Sequence, residues 1–299
     1  MVLCWNGGDD VLRCLTSLRP QLRAGDAAIV VDNASADGSA AAVAQAHPWA
    51  EVIRNEQNRG YAGGNNVGIR AALQRGFGWI LLLNQDTIVE AGGLASLLAA
   101  ADRSGIGAAQ PLLLRDGVPP RVDSLGLQPR RSLGAADVGS GLPPPPHADD
   151  VEIFGPCGAA LLLRASVAAQ AGLLDEELFL LLEDLDIAFR IRMTGAAAVL
   201  VPAARVWHRR GVSARRTGPA ARRRKYWLQR NTVAVALRYW PLRLLLLHAP
   251  LLVYRAVSAL MLAHTDPERK CWRLWRRFLR ERPASRRAMR AHGLDRWFG

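Results

Sequence analysis

Five polar groups in this 299-residue chain have the residue types to do chemistry, and most of them stand beside an apolar run. "AIVV" is followed by Asp32, Asn33 and Ser35, and "WILLL" by Asn84, Gln85 and Asp86. Between them, "NRGYAGGNNVGIRAAL" at 58–73 holds four glycines and three asparagines and then becomes a helix pattern. Further on, "EDLD" contains Glu183, Asp184 and Asp186, and His208 stands between Trp207 and Arg209. In open α/β sheets, ligands bind beyond the carboxyl ends of the strands. Glycines let phosphates reach backbone N–H groups, and the N-terminus of the following helix favours anions. Acids, amides and bare backbone at strand ends therefore point to a nucleotide as the ligand that the glycine loop approaches.

Each group alone has an ordinary explanation. "DNASADGS" would serve as a turn with a helix N-cap, and Asp86 could cap the turn before Gly92. "EDLD" could offer carboxylates to a helix dipole, and His208 could be a surface histidine. Their order and spacing together favour a site.

The elements that would position these groups alternate. Residues 27–31 read as a buried strand, "AAAVAQAHP" as a helix, and 52–54 as a short strand. "NNVGIRAALQRG" reads as a helix closed by Gly76, "WILLL" as a strand and 92–101 as a helix. "FGPCGAALLLRASVAAQAGLL" is a strand then a helix. After it come an acidic turn, a helix ended by Gly195, a strand at 197–201 and a short segment carrying His208. Apolar runs without alternation, interleaved with helices, predict a Rossmann-like, mainly parallel sheet covered on both faces. Residues 116–150, rich in Pro and Gly, read as a long loop on the acceptor side. The apolar pattern reads as a strand from the first residue, so the true start is expected upstream. No basic n-region or long apolar run marks a secretory signal there.

Half of the residues are hydrophobic, enough for one large domain with an appendage or for two domains. The net charge of +13 is uneven: residues 1–215 carry 19 basic and 22 acidic side chains, and 216–299 carry 20 and 4, a net of +16. Such a tail implies an anionic partner surface. "YWPLRLLLLHAPLLVYRAVSALMLAH" is apolar but includes Arg243, His248, Arg255 and two prolines. A spanning helix would carry such charges at about 2.5–3.5 kcal/mol each. Helices lying in the interface of an anionic membrane are expected instead, with "CWRLWRRFLRERPASRRAMRAHGLDRW" contributing its tryptophans and arginines. The alternative is an amphipathic bundle packed on the preceding domain. No nucleic-acid motif is present, so no nucleic-acid partner is expected. The four scattered cysteines form no C-x-x-C pair and read as buried thiols.

Taken in order, "CWNGGDDVLRCLTSL", "VVDNASADGS", "NRGYAGGNNVGI", "LLLNQDTIV", "GPCGAALLLRASV" and "LLEDLDIAFRIRMTG…VLVPAARVWHRRG" resemble the inverting family 2 glycosyltransferases with the GT-A fold. The likeness is to the rhamnosyltransferase-like branch that builds bacterial surface polysaccharides. It covers nearly all of 1–213, and "YWLQRNTVAVALRYWP" resembles the Arg-Asn helix that follows the catalytic domain in that branch. The resemblance implies a catalytic domain at 1–215 and a basic, helical, membrane-associated region at 216–299. It implies transfer from a nucleotide-diphosphate sugar to a lipid-linked or polysaccharide acceptor, at the inner face of a bacterial cytoplasmic membrane. By residue, it implies that Trp5 stacks on the base and that Asp32, Asn33 and Ser35 hold base and ribose. Asn58, Arg59, Gly60, Gly63 and Asn65 would line the donor site. Asp86 and His208 would bind a divalent cation, Mg²⁺ or Mn²⁺, and Asp184 would be the general base. The chain departs from the family pattern at Asn84-Gln85-Asp86, where one carboxylate remains, and at Arg209 and Arg210 after His208. Two rival readings are a nucleotidyltransferase of similar fold and a non-catalytic nucleic-acid-binding protein using the basic tail.

Overall fold

The computed structural model describes residues 1–145, 149–210, 218–265 and 271–298, and numbering its elements in chain order shows how the apolar runs are used. Strands β1 (Val2–Cys4), β2 (Ile29–Asp32), β3 (Glu51–Arg54) and β4 (Trp79–Asn84) pair in parallel in the order β3-β2-β1-β4. Helices α1 (Gly8–Leu18), α2 (Ser39–Ala46) and α3 (Gly60–Gln74) connect them. α1 turns Val11, Cys14, Leu15 and Leu18 inward, the spacing of one helix face. Then come β5 (Thr87–Val89), α4 (Gly93–Ala101), β6 (Ile106–Arg115), β7 (Arg121–Ser124), β8 (Leu127–Pro129), β9 (Ala135–Asp137) and β10 (Val151–Ile153). β11 (Ala160–Arg164), α5 (Ala165–Ala171), α6 (Glu183–Met193) and β12 (Ala197–His208) complete the body. β11 runs antiparallel to both β4 and β6, and β6 pairs in parallel with β12, so the sheet continues as a mixed second half.

Two expectations change. Much of the segment read as a long loop at 116–150 is built into the fold: β7 pairs with the edge of β6, and β8 and β9 form a hairpin. These strands have three or four residues, too short to show a period among prolines and glycines. The strand expected to stop at 201 runs on as β12 to His208, with an irregularity between Val201 and Arg205. That extension sets His208 beside Thr87 of β5.

The tail forms α7 (Gly218–Tyr239), α8 (Leu242–Leu247), α9 (Ala249–Leu262) and α10 (Cys271–Ala291). It shares one core with the body: Phe154, Leu178, Leu185 and Phe189 cluster with Tyr226, Tyr239, Trp240 and Phe278. Phe189 stacks on Tyr239 at 4.2 Å and meets Phe154 edge-on at 4.7 Å. Four of the tail's arginines pair with acids of the body, as Arg238–Asp186, Arg277–Asp175, Arg273–Glu177 and Arg296–Glu152. Others bind backbone, as Arg282 does at the carbonyls of Leu237 and Trp240. Of the eight arginines of α10, Arg277 and Arg282 are half-buried and Arg286 is buried, while Arg273, Arg276, Arg280, Arg287 and Arg290 are exposed. No described helix is long and apolar enough to cross a membrane.

Because the core spans residue 215, a chain ending at Arg215 is expected to show no cooperative urea transition by circular dichroism. In the full chain, Phe189→Ala should lose about 3–5 kcal/mol. A sharp, reversible transition in the truncated chain would show that the body folds alone.

Candidate active site at the strand ends

Asn33, 2% exposed at the end of β2, uses its whole side chain on its neighbours. Its Nδ2 donates to Asn58 Oδ1 and to the Gly60 carbonyl, both at 3.0 Å. Its Oδ1 accepts from Asn55 Nδ2 at 3.1 Å and from the Arg59 N–H at 3.0 Å. Two donors and two acceptances exhaust an amide, so Asn33 holds the 55–60 turn and has nothing left for a ligand. Asn58 Oδ1 also accepts from Gly60 N at 2.8 Å. Beside this hub, Asp32 accepts from Ser35 N and Ser35 Oγ accepts from Asn6 N. Trp5, 45% exposed, has its backbone clasped by Gln85, which accepts from Trp5 N at 2.7 Å and donates to its carbonyl at 3.2 Å. Trp5, Asp32 and Ser35 are thereby brought together, and Gln85 is a positioning residue in a motif read only for its acid.

The glycine loop does not meet the expectation of phosphate approach. A Cβ on Gly60, which has φ of +72°, would lie 2.4 Å from Phe179, and one on Gly64 would lie 2.4 Å from the Leu3 side chain. At Gly63 the obstacle is Arg59 itself. The N–H of Ala62, in the first turn of α3, donates to the Phe179 carbonyl at 3.2 Å. Side chains are missing here because the 174–182 segment and β1 pack against the loop. Arg59 pairs with Glu176 at 3.3 Å, and Asn65, 1% exposed, donates to the Tyr61 carbonyl. Gly60 and Gly63 are thus crowded by protein, while the buried Oδ1 of Asn65 has no hydrogen-bond partner among the described residues.

At the end of β4, Asp86 and His208 meet: Nε2 lies 3.4 Å from Asp86 Oδ1 and 3.4 Å from Asn84 Nδ2. Nδ1 is held at 2.8 Å by Asp123, wholly buried on β7 and also bound by Arg115 and Arg210. Burial opposes charge on the imidazole, but the hydrogen bond from Asp123 and the two nearby carboxylates raise its pKa to about 9. Burial likewise opposes ionisation of Asp123, and His208 and the arginines outweigh it, lowering it to about 2. A carboxylate that fixes one ring nitrogen and leaves the other aimed at an acid is the usual support of a metal-binding histidine. Among the described residues, no three His, Cys, Asp or Glu side chains converge as a complete metal cage. Asp86 and His208 are the two side chains here that could hold a hard cation, His208 only once its Nε2 proton is displaced, with phosphate and water as the remaining ligands. Asp123 was invisible in the sequence because it lies within the segment read as loop.

Asp184 opens α6. Its Oδ2 accepts from Gly158 N at 3.1 Å, and its Oδ1 from Leu185 N at 2.8 Å. Gly158 is followed by Ala159, whose carbonyl accepts from Asn84 N at 3.0 Å, so the backbone beside β11 ties Asp184 to the strand end bearing Asp86. Burial raises the Asp184 pKa to about 6, with Asp137 adding to it and the Gly158 bond opposing it. Glu183, 5% exposed, is pushed well above the carboxylate range by burial and by Asp184. Asp186 is fully buried yet held below it by Arg190, Arg238 and Tyr239. The turn before α6 is strained: Phe179, Leu181 and Leu182 have φ of +64°, +73° and +70°. Asn231 of α7 holds it, donating to the carbonyls of Leu178, Leu180 and Leu181 at 2.8–3.0 Å, and Arg230 binds the carbonyls of Glu177 and Leu178. Two adjacent polar residues inside a buried helical stretch were the signal for this clasp.

With that geometry in hand, the relatives can be placed. The family model described as "Glycosyl transferase family 2" matches residues 1–154. An N-acetylglucosaminyl-diphospho-decaprenol L-rhamnosyltransferase of Mycobacterium tuberculosis is 27% identical over 234 residues, covering 71% of this chain and 76% of the relative. A crystal structure of GalNAc-T7 with UDP, GalNAc and Mn²⁺ superposes with a TM-score of 0.63 at 16% identity, covering 80% of this chain. This chain spans 47% of that one, less than half its length. Residues 1–349 of S. aureus TarS superpose with a TM-score of 0.55 at 15% identity, covering 92% of this chain and 90% of that one. At these identities the two structures speak to the fold alone, and that fold is the GT-A glycosyltransferase arrangement.

Asn33→Asp replaces the Nδ2 donor with an acceptor oxygen that faces two acceptors, Asn58 Oδ1 and the Gly60 carbonyl. It should cost about 3 kcal/mol, and hydrogen exchange should quicken across 55–63 while the β4–β11–β6 amides stay protected. Unchanged exchange in 55–63 would remove Asn33 as the hub.

Proposed function

The chain belongs to glycosyl transferase family 2 and is a glycosyltransferase, and from that premise we propose an inverting enzyme that moves a sugar from a nucleotide-diphosphate donor to a lipid-linked acceptor. A deoxyhexose such as rhamnose is the proposed cargo, and the inner face of a bacterial membrane the proposed place. The mycobacterial relative is named as an L-rhamnosyltransferase with a decaprenol-linked acceptor, which supports the cargo and the lipid-linked acceptor. The observation that carries the reading is Asp184, one hydrogen bond from the backbone that leads to Asn84 and Asp86. With a pKa of about 6, it is ionised at neutral pH and still basic enough to take a proton.

In the proposed reaction the acceptor hydroxyl gives its proton to Asp184 as its oxygen attacks the anomeric carbon from the face opposite the diphosphate. The bond from that carbon to the phosphate oxygen breaks with its electron pair, nucleoside diphosphate leaves, and the configuration inverts. Trp5 offers its exposed indole to the base, and Asp32 and Ser35 offer polar groups to the ribose. Arg59 stands at the mouth of the turn that Asn33 and Asn58 hold. Asp86 and His208 would hold Mg²⁺ or Mn²⁺, which when bound offsets the charge developing on the diphosphate. A nucleotidyltransferase would release pyrophosphate instead, so product analysis separates the two.

Asp184→Asn is expected to lower kcat by about 10² or more while nucleoside diphosphate binding by calorimetry is kept. In the wild type, kcat/KM should rise with pH through about 6 as the carboxylate loses its proton, and the variant should lack that limb. Full loss in Glu183→Gln with activity retained in Asp184→Asn would transfer the role to Glu183.

For the metal, Asp86→Ala should abolish the cation-dependent part of nucleoside diphosphate affinity. Asp123→Asn, which leaves the His208 ring unsupported, should weaken it by about 10–100-fold. Unchanged cation enhancement in Asp86→Ala would exclude this site.

A further inference from the structure

α9 is apolar on both sides. One side, with Leu251, Leu252, Ala256 and the fully buried Ala259, packs on the shared core. The other presents Val253, Tyr254, Val257 and Met261, spaced three and four apart and exposed, Met261 at 73%. α8 extends the surface with Leu246 and Leu247, each 67% exposed. A helix facing water would carry polar residues on that side, and a contiguous apolar patch marks an interaction surface. The 14 residues of α9 reach about 21 Å, short of the roughly 30 Å hydrocarbon core of a bilayer.

Charge identifies the occupant. At the C-terminal end of α9, Arg223 of α7 donates to the Thr265 carbonyl at 3.2 Å, and Arg222, Arg223, Arg224 and Lys225 form an exposed basic run. At the other end, His248, where α8 meets α9, lines a cavity of about 680 Å³ together with Arg130 and Arg131 of the β8–β9 turn. Arg243 on α8 is exposed as well. The apolar face thus lies between two basic groups roughly 20 Å apart along the helix. Apolar side chains flanked by cations match the acyl and headgroup layers of an anionic bilayer.

We propose that the outward face of α8 and α9 docks flat on an anionic lipid surface, with Leu246, Leu247, Val253, Tyr254, Val257 and Met261 inserted and the two basic groups on the headgroups. This deepens the lipid-linked-acceptor reading, because it brings the transferase to the layer that holds such an acceptor. It centres the contact on the two helices that carry the continuous apolar face, rather than on the whole tail.

The test is flotation of the full chain with phosphatidylglycerol-containing and pure phosphatidylcholine vesicles, at low and high salt. Wild type should float with the anionic vesicles. Leu247→Asp with Val257→Asp should reduce recovery roughly tenfold or more, with melting temperature and nucleoside diphosphate binding unchanged. Alanine at 222–225 should remove the preference for anionic lipid and its salt sensitivity. Failure of the wild type to float on either vesicle, or equal recovery of the double variant, overturns the proposal. So does a wild-type dimer by light scattering that the double variant dissolves, without flotation, because the face would then belong to protein. Flotation needs no sugar: intact docking without transfer to a lipid-linked acceptor would sink the acceptor reading and leave this one standing.

Discussion

Three carboxylates within four residues cannot all ionise beside one another at low dielectric, and the first turn of α6 is organised around separating them. Asp186 points inward and keeps its charge between Arg190, Arg238 and Tyr239. Glu183 is buried and favours its neutral form. Asp184, left between a protonated neighbour and a neutralised one, leans on the N–H groups of Gly158 and Leu185. One acid becomes structural, one silent and one basic through the partners that each side chain reaches. Two of the three partners of Asp186, Arg238 and Tyr239, come from α7, so the chemistry of α6 depends on the tail as much as on the sheet.

The same dependence explains the strained turn before Asp184. Left-handed Phe179, Leu181 and Leu182 would each relax if free. Gly60 admits the Phe179 ring from one side, and Asn231 takes the carbonyls from the other. The donor-side loop and the candidate base are therefore two faces of one packed segment, 174–182, and a displacement of either is felt by both. The basic tail braces the helix that carries Asp184.

How much of this was legible follows physical lines. Strand-and-helix alternation was plain because buried parallel strands need uninterrupted apolar runs, as in "WILLL". Asp184, Asp86 and His208 were visible as polar residues at the ends of such runs. The glycines were visible too, but what crowds them was not. Close approach by Phe179, more than a hundred residues away, leaves the same trace in sequence as close approach by a ligand. Asp123 and Gln110 were hidden for another reason: the first lies on a four-residue edge strand, and the second inside an apolar strand, where it accepts from the Cys157 N–H at 2.6 Å. The tail was ambiguous in composition, since arginines paired with internal acids count the same as arginines left exposed.

That shared core sets an order on biosynthesis. α6 leaves the ribosome about fifty residues before Arg238 and Tyr239 of α7, which neutralise Asp186 and cover Phe189. At about 5–20 residues per second, the nascent body waits roughly 3–10 s with that surface open. During this interval the chain presents a buried-type carboxylate, aromatic rings and an unclasped turn to solvent, so the body is completed by helices made after it.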